Sequence, residues 1–243
     1  MELYTTAVPL WVNLTFLLSF PIAIILIGQA VKKAYLNANQ SIDTAKKKQR
    51  NTLLFYGFYL TAVAVASAIG LFAGNALPPR ILIFTTIPLL AFYLFYVMRS
   101  DWYHFIIKNA TLQSLIFIHV FRFVGIFFFI TYSYGALPWN FALAGGAGDI
   151  IAAVLGLFAI YALNNQKPYA IRLTYIWNIV GLLDIINVII TAIIITKISI
   201  ANNEIGVAEF ATFPFSWIPA FAPATIIFLH IGVFQKLKMM KKY

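Results

Sequence analysis

Cysteine is absent from this 243-residue chain. That excludes disulfides, thiolate metal sites and cysteine nucleophiles. Acids are nearly as scarce, with seven Asp and Glu against seventeen Lys and Arg. Charged residues of both signs make up only 10% of the chain, where a soluble domain carries about 25%. Long polar stretches are missing too. No linker or low-complexity segment marks a second domain, so one compact unit is expected. The opening MELYTTAVPL has no basic region, so it does not read as a cleaved signal peptide. The first apolar run is expected to remain as a span.

What is present is apolar. Hydrophobic residues form 62% of the chain and the mean hydropathy is +0.89. No soluble fold of this size hides so much apolar surface, so lipid must act as solvent for much of it. Runs of about 17–25 apolar residues predict seven spans, at 8–31, 52–74, 81–98, 111–134, 141–164, 175–196 and 217–235. The expected fold is an all-α integral membrane protein, a seven-transmembrane-helix bundle. Tyr4, Trp11, Trp102, Tyr103, Trp139, Tyr175 and Trp217 lie near span ends, as an interfacial aromatic belt requires.

The net charge of +10 raises the question of nucleic acid. The cations sit in the polar segments beside spans, however, where they act as topology signals and contacts for anionic headgroups. No nucleic-acid partner is expected. Lys32, Lys33, Lys46, Lys47, Lys48, Arg50, Arg99, Lys108, Lys167, Arg172, Lys236, Lys238, Lys241 and Lys242 fall on one side, and Arg80 and Lys197 on the other. Fourteen against two places the N-terminus outside and the C-terminus in the cytoplasm of a bacterial inner membrane. The segment 32–51 is then the main cytoplasmic loop and 197–216 the main external one.

Only five charged or histidine residues lie inside the spans: His119, Arg122, Asp149, Asp184 and His230. Charge at membrane depth costs on the order of 2.5–3.5 kcal/mol on insertion scales and is rare unless paired or functional. At about 1.5 Å per residue, His119, Arg122, Asp149, Asp184 and Asn187 fall in one layer roughly 6 Å thick, with His230 nearer the cytoplasm. His119, Arg122 and Gly125 recur by threes, as do Asn178, Gly181, Asp184 and Asn187. Such spacing turns neighbouring members toward one partner.

One permanent cation and two aspartates leave an excess of one negative charge. A proton, a protonated His119 or His230, or a bound cation would remove it. Groups whose charge depends on a partner are what proton or ion coupling needs. A structural reading stands beside this one: Arg122 ties two helices through one aspartate, and the other aspartate is a neutral acid bonded to Asn187.

Gly145, Gly146 and Gly148 precede Asp149 in AGGAGD, and Pro214, Pro219 and Pro223 crowd FPFSWIPAFAP. The glycines read either as a turn offering backbone polar groups to a cavity or as close helix packing. Ile116-Phe-Ile-His119 resembles Ile227-Phe-Leu-His230 in an oppositely directed span, a match short enough for chance. His119 and His230 are weak candidates for a haem or metal site, with no third histidine at that depth. No lysine inside the seventh span is available for a retinal Schiff base. No hydrolase or transferase motif is present.

Three stretches resemble an uncharacterised family of bacterial multi-spanning membrane proteins. They are HVFRFVGIFFFITYSYGALPWNFALAGGAGDIIAAVLG (119–156), WNIVGLLDIINVI (177–189) and FPFSWIPAFAPATIIFLHI (213–231). The resemblance is confined to the C-terminal half. It implies that Arg122, Gly148, Asp149, Asn178, Asp184 and His230 are the family's recurring polar positions. Where such proteins often carry a proline before the glycines, this chain has Ala144-Gly145.

The expected function is a small transporter or channel-like protein for an ion or small solute. Asp149 and Asp184 would bind the coupling proton or cation, and Arg122 would be their counter-charge or anchor an anionic substrate group. His119 and His230 would relay protons, and Asn178 and Asn187 would supply hydrogen bonds. The alternatives are a non-transporting receptor or accessory subunit that uses the cluster structurally, and a membrane-embedded haem or metal protein.

Overall fold

The computed structural model describes residues 7–74, 76–204 and 206–240; Tyr4, Lys241 and Lys242 lie outside them. Among the described residues, seven helices are long and apolar enough to cross a membrane. They are α1 (Leu10–Asn37), α2 (Ile42–Ala68), α3 (Leu82–Arg99), α5 (Leu112–Ser133), α6 (Trp139–Asn164), α7 (Ala170–Asn202) and α8 (Trp217–Met240). A short helix, α4 (Asp101–Asn109), joins α3 to α5. No strand occurs among the described residues.

The helix ends follow from local chemistry. Ser41 caps α2 by accepting from the Thr44 amide at 3.2 Å, with Asp43 in the first turn. Ser100 caps α4 through the Tyr103 amide and Thr111 caps α5 through the Ser114 amide. Each cap satisfies an amide that the first turn leaves without a partner. Pro21 breaks α1 after Ser19 because its ring nitrogen carries no hydrogen to donate. Asn203, in the left-handed region at φ 56°, ends α7.

The segment 32–51, expected as a loop, is helical except for residues 38–41. Lys and Arg are good helix formers, so the apolar run ends well before the helix does. For the same reason α7 starts five residues earlier and ends six later than its apolar core at 175–196. Its 33 residues span about 50 Å, more than the roughly 30 Å hydrocarbon layer.

α5 and α8 form the centre, with 61% and 67% of their apolar windows buried against 22–39% for the other five. The outer helices turn Leu18, Phe58, Phe95, Phe158, Tyr161 and Leu183 outward, the arrangement for which lipid is the solvent. Inside, Phe16, Phe20, Phe127, Phe215 and Phe221 pack as tilted and edge-on rings between α1, α5 and α8.

Pro223 sits inside α8 and cannot bond the Pro219 carbonyl one turn back. The Thr86 hydroxyl takes that carbonyl instead, at 2.5 Å, and the Tyr59 hydroxyl takes the neighbouring Ala220 carbonyl at 2.8 Å. The carbonyl that Pro223 frees is thus satisfied by a side chain of α3, and a side chain of α2 is tied to the same turn.

Candidate functional site

Arg122 is fully buried at the meeting point of α5, α6, α7 and α8. Its Nε lies 2.7 Å from Oδ1 of Asp149 on α6, and its Nη2 donates to Oδ2 of Asp184 on α7. Nη1 donates to the Gly181 carbonyl at 3.2 Å and stands 3.4 Å from Nε2 of His230 on α8. One guanidinium therefore engages three other helices. Each contact replaces hydration that a fully buried guanidinium has lost.

His230 is held by a reciprocal pair with Asn178. Asn178 Nδ2 donates to the His230 carbonyl at 3.0 Å, which turns Asn178 Oδ1 toward His230 Nδ1, 2.8 Å away. Nδ1 therefore carries the hydrogen, and Nε2 presents its lone pair to Arg122. The imidazole is neutral here, since a second N–H at Nε2 would confront the guanidinium. His119 completes the cluster from α5. Its ring centroid is 4.3 Å from that of His230 and 5.0 Å, edge-on, from that of Trp177. Neither His119 nitrogen has a hydrogen-bond partner among the described residues. Trp177 Nε1 donates to the Ala152 carbonyl at 2.8 Å, fixing α7 to α6.

Backbone geometry explains why these residues meet. His119–Gly125 is a 3-10 segment within α5. At three residues per turn, His119, Arg122 and Gly125 stay on one face. On α7, a regular α-helix, steps of three drift, and Asn187 lies about 180° around from Asn178. Asn187 is accordingly exposed and has no hydrogen-bond partner among the described residues. The expected Asp184–Asn187 bond is replaced by the Asp184–Arg122 pair, and Asn187 takes no part in the cluster.

The AGGAGD segment is not a turn. Leu143–Ala147 is a π-helical stretch, and α6 continues from it through Asp149. The glycines serve close packing, as the second of the two expectations had it. A side-chain carbon on Gly145 or Gly146 would strike the Phe128 or Phe129 ring, and one on Gly148 would overlap the Asp184 carboxylate. At Gly125 it would come within 2.8 Å of the Asp149 side chain, and at Gly181 within 2.7 Å of His230. Small residues let four helices close around one guanidinium.

A cavity of about 240 Å³ runs in from the end of the bundle that holds Arg80 and Lys197, opposite the lysine-rich end, and reaches Asp149. Phe128, Phe141, Ile185, Val188 and Pro223 line it, and the exposed Arg80 stands at its outer rim. Asp149 is the one acid among its lining residues. Asp184 is less enclosed than Asp149, with its side chain 13% exposed against 8%.

The histidines do not make an evident metal pair. Both His230 nitrogens are already turned to Asn178 and Arg122. No group of three His, Cys, Asp or Glu suited to a metal occurs among the described residues. Sequence reasoning found Arg122, Asp149, Asn178, Asp184, His119 and His230. It missed Trp177, whose buried indole walls the cluster, and the layer Tyr56–Tyr93–Thr225, joined by hydroxyl bonds of 3.0 and 3.1 Å. Neither residue type stands out in a chain with 17% aromatics.

These features define an all-helical protein with seven helices long and apolar enough to cross a membrane among its described residues and a buried, arginine-centred charge cluster. Residues 77–238 match the family described as a domain of unknown function, DUF8737, and the chain belongs to that family. The match begins at the third spanning helix, earlier than the C-terminal half expected from motifs, and includes every residue of the cluster. No curated protein and no solved structure matches the chain.

Proposed function

We propose that this protein is a small transporter for an ion or small solute in a bacterial inner membrane, with its N-terminus outside and its basic end in the cytoplasm. The observation that carries this reading is one guanidinium shared by two carboxylates, with a cavity from the opposite end stopping at one of them. With both histidines neutral, the cluster holds one negative charge too many. A proton or small cation arriving through the cavity at Asp149 removes that excess and weakens the Asp149–Arg122 contact. Arg122 then leans on Asp184 and His230, and α6 is freed relative to α7. That is the kind of bistable contact an alternating-access cycle needs. Lysines at the basic end anchor the bundle to anionic headgroups.

The test uses protein in liposomes loaded with a pH-sensitive dye, with proton, Na⁺ and K⁺ gradients imposed in turn. Gradient-driven pH change that is lost in Asp149→Asn supports the reading. No flux under any of the gradients sinks it.

A second reading is favoured by the complete pairing of Arg122, whose three nitrogens are all engaged. On this reading the cluster is a tie that holds an accessory subunit in one shape. Large stability losses in both Asp149→Asn and Asp184→Asn, without flux in the parent, select it.

A further inference from the structure

A second cavity, of about 410 Å³, lies toward the basic end and takes no part in the charge cluster. Along α8 the two cavities follow one another. The first is lined by Ile218, Pro219, Ala222 and Pro223, the second by Phe228, Leu229 and Gly232. The hydrogen-bonded Tyr93–Tyr56–Thr225 layer stands between them.

The chemistry of this second cavity is distinct. Its walls are chiefly aliphatic and aromatic. Phe55, Phe92 and Tyr96 both line it and are exposed on the outer surface. Their rings stack in series, with centroids 5.6 and 5.4 Å apart, so between α2 and α3 the cavity is walled by one layer of aromatic rings that also faces outward. The polar groups gather at the basic end: Lys48, Asn51, Ser100 and Tyr103.

Among the described residues, Lys48 is the one charged residue that lines the space, and no acid lines it. Tyr103 is buried, and its hydroxyl has no hydrogen-bond partner among the described residues. Burial pushes the Tyr103 phenol up from its usual value, so it remains a neutral donor. An unpaired buried hydroxyl costs free energy until an acceptor reaches it. A cation is disfavoured beside Lys48 with no acid to receive it. A wholly apolar guest leaves the Tyr103 hydroxyl unanswered, and Lys48, whose ammonium lies over the Tyr35 ring at 5.8 Å, still carries a charge that an anion would meet. An apolar chain ending in an anion answers all of these features.

We infer that this cavity binds a long-chain carboxylate, with the chain among the aromatic rings and the carboxylate at Lys48, Asn51 and Tyr103. The inference is independent of whether the arginine cluster transports anything.

The probe is tritiated palmitate, added to full-length protein in nanodiscs of neutral phosphatidylcholine and read by scintillation proximity. Saturable binding is expected. Lys48→Ala is expected to weaken it roughly tenfold or more, the scale of one hydrogen bond to a charged group. Gly232→Leu, which fills the cavity floor where a side-chain carbon already comes 3.2 Å from Ile107, is expected to abolish it. Lys197→Ala, at the other end, is expected to leave it unchanged. Circular dichroism confirms that each variant is folded. Tyr103→Phe, which alters only the hydroxyl, repeats the test should Gly232→Leu not fold. The inference is overturned by absent saturable binding, by equal affinity in Lys48→Ala, or by hexadecanol binding as well as palmitate. Displacement of palmitate by phosphatidylglycerol in the disc also overturns it, in favour of a resident membrane lipid.

Discussion

Asp149 accepts from Arg122 Nε at 2.7 Å while the other end of the same guanidinium is held by Asp184. Two carboxylates from separate helices thus depend on one cation. Removing that cation leaves two unpaired charges at depth, which costs far more than the pairing itself contributes. Arg122→Gln is therefore expected to lower stability by about 3–5 kcal/mol, the range for breaking a buried pair. The triple change Arg122→Gln, Asp149→Asn, Asp184→Asn is expected to recover most of that loss, because neutral amides need no counter-charge. Thermal unfolding in detergent checks both. A triple variant no more stable than the single one contradicts the account.

Gly148 offers a separate handle on the same pair. A methyl group there occupies the space of the Asp184 carboxylate. Gly148→Ala is expected to cost roughly 1–3 kcal/mol through overpacking. It should also abolish the dependence of stability on residue 184, so that Asp184→Asn costs little once the alanine is present. A double-mutant cycle by thermal unfolding measures this coupling. Additive losses would show that Asp184 tolerates the methyl group in place.

Thr86 and Pro223 are coupled through a carbonyl that belongs to neither. Thr86 donates to Pro219 O because Pro223 cannot. Thr86→Val is expected to cost about 1–2 kcal/mol, as for hydrogen bonds between membrane helices. In a Pro223→Ala background it should cost distinctly less, since the alanine amide can return to Pro219 O. Equal costs in the two backgrounds would mean that the carbonyl finds another partner.

Asn178 fixes the tautomer of His230 by offering an oxygen to Nδ1. Nitrogen-15 chemical shifts of the imidazoles are expected to show His230 with its hydrogen on Nδ1 at neutral pH. Asn178→Leu is expected to remove that preference and cost about 1–2 kcal/mol, because the His230 carbonyl also loses its donor. A hydrogen found on Nε2 in the parent protein would contradict the geometry drawn from Arg122.

The sequence by itself determined seven apolar helices and the one-sided distribution of lysine, because runs of apolar residues and the exclusion of charge from lipid are local properties. It also determined which ionisable residues had to be explained, since a charge at depth stands out in any register. Which of them meet was decided only by tertiary structure. Spacing by threes is identical on α5 and α7. It keeps His119, Arg122 and Gly125 all on one face because that stretch of α5 winds as a 3-10 segment, and it sends Asn187 outward because α7 does not. The glycines before Asp149 read equally as a turn or as a packing face. The rings of Phe128 and Phe129, brought up from α5, decided for packing. The ends of the helices also escaped the hydropathy pattern, since lysine extends a helix as readily as leucine does. The two cavities were invisible in the chain. A void is the space that several helices leave between them, and no single segment carries its outline.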